Sequence, residues 1–177
     1  PRVVTTNVAR RIMTIEEKLE ARFFSKSGSF DIFSGQGAFK LYVMAPRRDA
    51  QNYIEKEGAI LIEAAPASGK TPEGLPIYNW DKSAKMTFAL GMQDIEALLE
   101  DRDVAKLFHK DQRNLSNPAF DKSLIVSAPS PSFDKWKLVL SDKVQNKSVT
   151  VIASEGKILI LKRLLIAAVP YLIGWPI

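Results

Sequence analysis

Hydrophobic residues recur along this chain with two different periods, and the switches between them mark out a succession of strands and helices. From Phe30 the segment FDIFSGQGAFKLYVMAP holds two short apolar runs around Gly35 and Gly37, the pattern of two strands joined by a glycine turn. In the second run Phe39, Leu41 and Val43 alternate with Ala38, Lys40, Tyr42 and Met44, so one face is core and the other carries Lys40 and Tyr42. After the polar loop PRRDAQNYIEKEG, the continuous Ile60, Leu61 and Ile62 of GAILIEAAP predict a strand covered on both faces. A loop rich in Pro and Gly runs from Pro66 to Pro76. Beyond it, DKSAKMTFALG sets Met86, Phe88 and Leu90 on one face and Lys85 and Thr87 on the other.

The period then changes. In GMQDIEALLED, Ile95, Leu98 and Leu99 fall at helical spacing among acids. VAKLFHKD is short and ambiguous. FDKSLIVSAP, SFDKWKLVLSD and KSVTVIAS are three further strands bounded by turn formers, four if residues 105–109 join them. A last helix starts near Ser154 and Glu155 and runs through ILILKRLLIAAV; apolar residues nearly surround it, which places it in a core or in an oligomer interface. At the other end, TIEEKLEARFF at 14–24 opens with Thr14 three positions before Glu17, a capping-box spacing, and Arg2, Arg10 and Arg11 precede it as a basic arm. The expected organisation is an arm and short helix over 1–24, then one domain over 25–177. Two sets of about four strands, each followed by a helix, give an α+β fold with antiparallel sheets.

Composition narrows the function. Lys and Arg total 25 against 20 Asp and Glu, a formal charge of +5 with a pI near 9.4, which favours a polyanionic partner. With no cysteine there is neither a disulfide framework, a cysteine-based zinc site nor a thiol nucleophile. The apolar stretch Ile158–Ile173 is interrupted by Lys162 and Arg163 and falls short of the roughly 20 residues of a membrane span. ASGKT at 67–71 resembles the end of a phosphate-binding loop, but Ala64 stands where its first glycine belongs and Pro72 and Pro76 block the following helix. His109 is the single histidine, with no nucleophile-elbow sequence and no carboxylate cluster to complete a metal site. Neither an enzyme, a cofactor nor a small-molecule substrate is indicated.

What remains is an interleaving of basic and aromatic residues on strand faces: Lys40 with Tyr42, Lys82 and Lys85, Lys122, and Lys135 and Lys137 around Trp136. Lysines on such a face pair with phosphate while rings accept a base. Thr87 shares the Lys85 face, and Arg47 and Arg48 in the adjoining loop complete the candidate nucleic-acid-contact set.

The C-terminal string VPYLIGW at 169–175, together with LSDKVQNK, EGAILIEAAPA at 57–67, YNW at 78–80, DIEALL and LFHKD in the same order, resembles the Whirly fold, and in particular the kinetoplastid mitochondrial guide-RNA-binding proteins of RNA editing. Over roughly residues 30–175 the resemblance implies two antiparallel four-stranded sheets packed like blades, with helices that assemble four subunits. It also implies single-stranded RNA as ligand, promotion of RNA annealing, a related Whirly-like subunit completing a heterotetramer, and a mitochondrial matrix location. The subunit interface would then involve Leu161, Leu165, Val169 and Leu172 of the last helix. Plant members carry KGKAAL at the turn where this chain has Ser34, Gly35, Gln36, Gly37, Ala38 and Phe39, without either lysine. The departure favours the kinetoplastid branch over plant-like single-stranded DNA binding. A scaffold subunit whose partner makes most RNA contacts is the alternative from another class.

Overall fold

In the computed structural model, which describes residues 28–100 and 103–175, the alternating segments form two antiparallel sheets. The arm and helix expected over 1–24 lie outside the described residues. The elements are β1 (Phe30–Phe33), β2 (Gly37–Met44), β3 (Arg47–Arg48), β4 (Ile54–Lys56), β5 (Ala59–Lys70), β6 (Pro76–Tyr78), β7 (Met86–Leu90), α1 (Met92–Glu100), β8 (Val104–Lys110), β9 (Asp121–Ser127), β10 (Trp136–Asp142), β11 (Lys147–Ala153) and α2 (Glu155–Leu172). The first sheet runs β1-β2-β5-β7, with β6 added at the far end of β5; the second runs β11-β10-β9-β8.

Each sheet turns one apolar face inward. Phe30 and Ile32, Phe39 and Leu41, Ile60 and Ile62, and Met86, Phe88 and Leu90 are buried on the first. Leu107, Leu124, Val126, Leu138, Leu140, Val149 and Val151 are buried on the second. The sheets meet closely where β2 begins: a Cβ on Gly37 would stand 2.6 Å from Val149 Cγ1 and 2.8 Å from the Thr150 carbonyl. The requirement there is close approach.

Several local expectations change. β5 is not covered on both faces: Ile60, Ile62 and Ala64 are buried, whereas Leu61 and Glu63 between them are half-buried. The Pro/Gly-rich stretch is not all loop, because β5 continues to Lys70 and folds back onto β6, with Pro76 as its first residue, where proline is tolerated. Lys70 therefore lies in a strand, which removes the phosphate-loop geometry. The polar loop after β2 contains the β3–β4 ribbon, turned by Asn52 at φ 68°, and VAKLFHK is strand β8.

The last helix turns the expected interface residues toward the chain's own core. Leu161, Leu165 and Leu172 are buried inside the chain's own core at 8%, 1% and 0% exposure, and Val169 packs partly buried against it. The helix buries Ile158, Leu161, Leu165, Ala168 and Leu172, at three- and four-residue spacing, and the first three share a small cavity with residues of both sheets. Because nearly every position is apolar, the sequence does not say which stripe faces in. The face left outside carries Leu159 and Ile166, 53% and 58% exposed.

Both ends of α2 are fixed. Ser154 caps the start, its hydroxyl accepting from the Lys157 backbone N–H. At the other end Gly174, at φ 74°, donates to the Tyr171 carbonyl, and Trp175 donates to the Pro170 carbonyl, a Schellman closure. Gly58 N–H donates to Leu172 O at 2.8 Å, and Arg48 Nη2 donates to Gly174 O at 2.9 Å. The resemblance string ending in Gly174 and Trp175 is thus a helix terminator that docks on the β3–β4 ribbon. LSDKVQNK is the β10–β11 turn, in which Asp142 Oδ1 accepts from the Val144 and Gln145 N–H groups.

Two stability outcomes follow from this packing. Leu165→Ala lowers the unfolding free energy by about 2–5 kcal/mol, independently of protein concentration, whereas Ile166→Ser changes it by no more than about 0.5 kcal/mol; denaturant titration at two concentrations checks both. Gly174→Ala costs about 1–2 kcal/mol, because alanine resists the left-handed conformation, and the same titration measures it.

Candidate nucleic-acid interface

Antiparallel register places residues from distant segments in rows across each outer face. On the first sheet Asp31 faces Lys40, Lys40 faces Glu63, and Glu63 faces Thr87. Lys85 Nζ lies 2.5 Å from Glu63 Oε1, and Lys40 Nζ stands 4.4 Å from the centre of the Trp80 ring. Tyr42 points its hydroxyl at Glu63 from 3.5 Å; burial first, then the Glu63 and Asp31 carboxylates, raise its phenol above the ordinary value, so it stays protonated. The structure therefore does bring Lys40, Tyr42, Lys85 and Thr87 together. It brings them together around two carboxylates, Glu63 pairing with Lys85 while Asp31 and Glu63 face Lys40 in register.

Other expected contacts are committed elsewhere. Lys122 is on the inner face, between His109 and Asp142 in register, and its Nζ donates to Thr87 O at 2.8 Å, tying one sheet to the other. Arg48 donates to the Asn52 and Gly174 carbonyls, holding the ribbon to the end of α2. Both arrangements have one cause: a cation near a sheet end or helix end meets carbonyls that need donors. Arg47 is exposed and pairs with Glu55 at 2.8 Å. Lys82 is exposed in the turn before β7, beside a pocket of ≈180 Å³ that Lys85, Lys122 and Asp142 also line. Trp136 packs half-buried against the core, with Lys162 Nζ 5.7 Å above its ring, on the side of β10 opposite Lys137.

The second sheet's outer face is different. Its rows are Val104, Ser127, Lys137 and Ile152; then Lys106, Ile125, Val139 and Thr150; then Phe108, Ser123, Ser141 and Ser148. Lys110 faces Asp121 at one end, the only carboxylate in these pairings, and Lys135 stands exposed just before β10. Among the described residues no ion pair engages Lys106, Lys110, Lys135 or Lys137. Phe108 is 64% exposed between Lys106 and Lys110. This face offers ammonium groups, hydroxyls and an aromatic ring with little opposing charge.

Lys106, Phe108 and Lys110 are absent from the residues expected from sequence. Their strand was obscured because Phe108 points outward, so the apolar positions of VAKLFHK do not fall on one face. The signal that recovers them is the pairing of β8 with β9, residue by residue from Val104–Ser127 to Lys110–Asp121. His109 faces inward, stacked on Phe88 with ring centres 4.1 Å apart, its Nε2 3.0 Å from Asp94 Oδ2, joining β8 to α1. Among the described residues there is no group of three metal-ligating side chains, and no helix is long and apolar enough to cross a membrane.

Comparison with known proteins agrees with this architecture. The family model described as "Whirly transcription factor" matches residues 32–164. WHY3 from Arabidopsis thaliana superposes with a TM-score of 0.66 at 25% identity, covering 83% of this chain and 89% of that one. WHY1 from Arabidopsis thaliana gives 0.66 at 25% identity, covering 83% and 85%. The structure of the plant transcriptional regulator PBF-2 gives 0.67 at 22% identity, covering 83% and 90%, and bears on the fold alone. No curated protein sequence matches. With the family match spanning well over half of the chain and the sheets in the same arrangement, the chain belongs to the Whirly family.

Proposed function

We propose that this chain binds single-stranded nucleic acid, RNA in the first instance, by laying its phosphates across the outer face of the second sheet, and that it performs no chemistry on what it holds. The observation that carries the reading is the contrast between the two outer faces. Lys85 pairs with Glu63 and Lys40 faces Asp31 and Glu63 in register, whereas Lys106 and Lys137 face no carboxylate and Lys106, Lys135 and Lys137 make no ion pair among the described residues. Phosphate contacts release counterions and carry no sequence information, so binding of this kind is tolerant of sequence and steeply salt-dependent. Neutralising one strand's phosphates while its bases remain free lowers the repulsion that a complementary strand meets. Annealing then needs no active site.

Membership of a family described as transcription factors supports a nucleic-acid ligand. The choice of RNA rests on the resemblance to guide-RNA-binding proteins of mitochondrial RNA editing and on the Ser34–Phe39 turn, which lacks the plant lysines. The same resemblance supports a related subunit in a heterotetramer and a location in the mitochondrial matrix. Leu159 and Ile166, exposed on α2, supply apolar surface for that contact. The balanced face of the first sheet favours one second reading, a subunit that completes an assembly while its partner holds the strand.

Equilibrium binding to a single-stranded RNA over a series of salt concentrations tests these readings. Lys106→Ala with Lys137→Ala weakens binding about tenfold at low salt and reduces the salt slope by about 1.4, two single-strand phosphate contacts. Lys40→Ala with Lys85→Ala leaves both nearly unchanged. Undiminished affinity of the assembled protein after the Lys106 and Lys137 changes would instead support the scaffold, and a duplex or DNA strand held as tightly as RNA would remove the RNA assignment.

A further inference from the structure

The outer face of the second sheet ends in a groove of ≈440 Å³, a volume within the range of about 300–1,000 Å³ typical of sites for small organic groups. Its floor is the cross-strand row of Val104, Ser127, Lys137 and Ile152. Ser130 and Phe133, from the connection between β9 and β10, form one wall, and Gln36 of the β1–β2 turn forms another. Phe133 is 41% exposed and Val104 38%, so apolar surface stands open to water beside the Lys137 ammonium.

The wall is held although it belongs to a loop. Ser130 N–H donates to Phe133 O at 2.8 Å, and Phe133 N–H donates back to Ser130 O at 2.9 Å. Ala128 N–H anchors the start of the connection on Asp103 O at 2.6 Å. The Gln36 turn is fixed as well, since Ala67 N–H donates to Gln36 O at 3.1 Å and Tyr78 Oη donates to Ser34 O at 2.7 Å. The Gln36 side-chain amide and the Ser127 hydroxyl make no hydrogen bond of their own within the described chain, which leaves a donor and an acceptor on each of these two lining residues. An exposed ring, a cation and unspent amide and hydroxyl groups are what an unpaired nucleobase and its phosphate require together.

We propose that this groove receives one unstacked base of the bound strand: Phe133 packs on the base, Lys137 meets the adjoining phosphate, and Gln36 and Ser127 hydrogen-bond the base edge. This rests on the nucleic-acid reading above and adds to it a reason to prefer single strands, since a base within a duplex cannot enter. The Gln36 amide can both donate and accept, so any base is tolerated. Lysines alone would hold a backbone stripped of bases equally well.

The test compares a single-stranded RNA with a sugar-phosphate oligomer of equal length and charge that lacks bases, using the full chain. The wild type prefers the base-bearing strand by about tenfold. Phe133→Ala and Phe133→Leu, the second retaining apolar volume without a ring, each reduce that preference several-fold while the salt slope is unchanged; Phe133→Tyr retains it. A 2-aminopurine in the strand changes its fluorescence on binding to the wild type and not to Phe133→Ala. If the preference is untouched by both non-aromatic variants, or falls only in Phe108→Ala, the groove is not the base site, and salt-dependent binding still stands. If neither oligomer binds, the groove and the phosphate reading are overturned together.

Discussion

The burial of α2 against both sheets is the interaction on which the remaining structure depends. The first half of its inward stripe, Ile158, Leu161 and Leu165, meets Phe39, Leu41 and Ile62 of one sheet and Leu124, Val126 and Leu138 of the other around a cavity of only ≈30 Å³. With the apolar inner faces and the helix consumed by one another, the groups free to act lie on the outer faces. The ends of the helix recruit their own partners, the Ser154 hydroxyl at the start and the Arg48 and Gly58 donors at the finish. Residues that look available in sequence are spent there.

The two outer faces illustrate how register decides what a lysine can do. Lys40 and Lys106 are both mid-strand lysines pointing away from the core, and nothing within their own segments distinguishes them. Lys40 faces Asp31 on one side and Glu63 on the other, whereas Lys106 faces Ile125. Opposite charges in adjacent strand positions attract one another and reduce the field offered to an outside phosphate. The cation beside an apolar neighbour keeps its field. The same register sets Val104, Ser127 and Lys137 in one row and so makes the floor of the Phe133 groove.

Much of the fold was legible because burial enforces alternation. β2 and β7 were marked by apolar residues on one face, β9, β10 and β11 by short apolar runs between turn formers, and α2 by Glu155 with the apolar run behind it. β8 was ambiguous because Phe108 breaks its pattern, and β6 was hidden by proline and glycine that serve as strand start and turn. The site was less legible, for a different reason. Whether Lys85 is free depends on Glu63, and whether Lys122 points outward depends on which face of β9 meets the core; both are settled by pairings between segments far apart in the chain. Lys137 could be placed from its own strand because Leu138 and Leu140 fix the inward positions around it.

The central claim is that a bound strand lies on the second sheet and leaves the first uncovered. Lysine reactivity toward an amine-modifying reagent, read residue by residue by mass spectrometry with and without single-stranded RNA, examines this directly. The account predicts protection of Lys106, Lys110, Lys135 and Lys137, with Lys40 and Lys85 unchanged. Protection of Lys40 and Lys85 with the second-sheet lysines left reactive would contradict it.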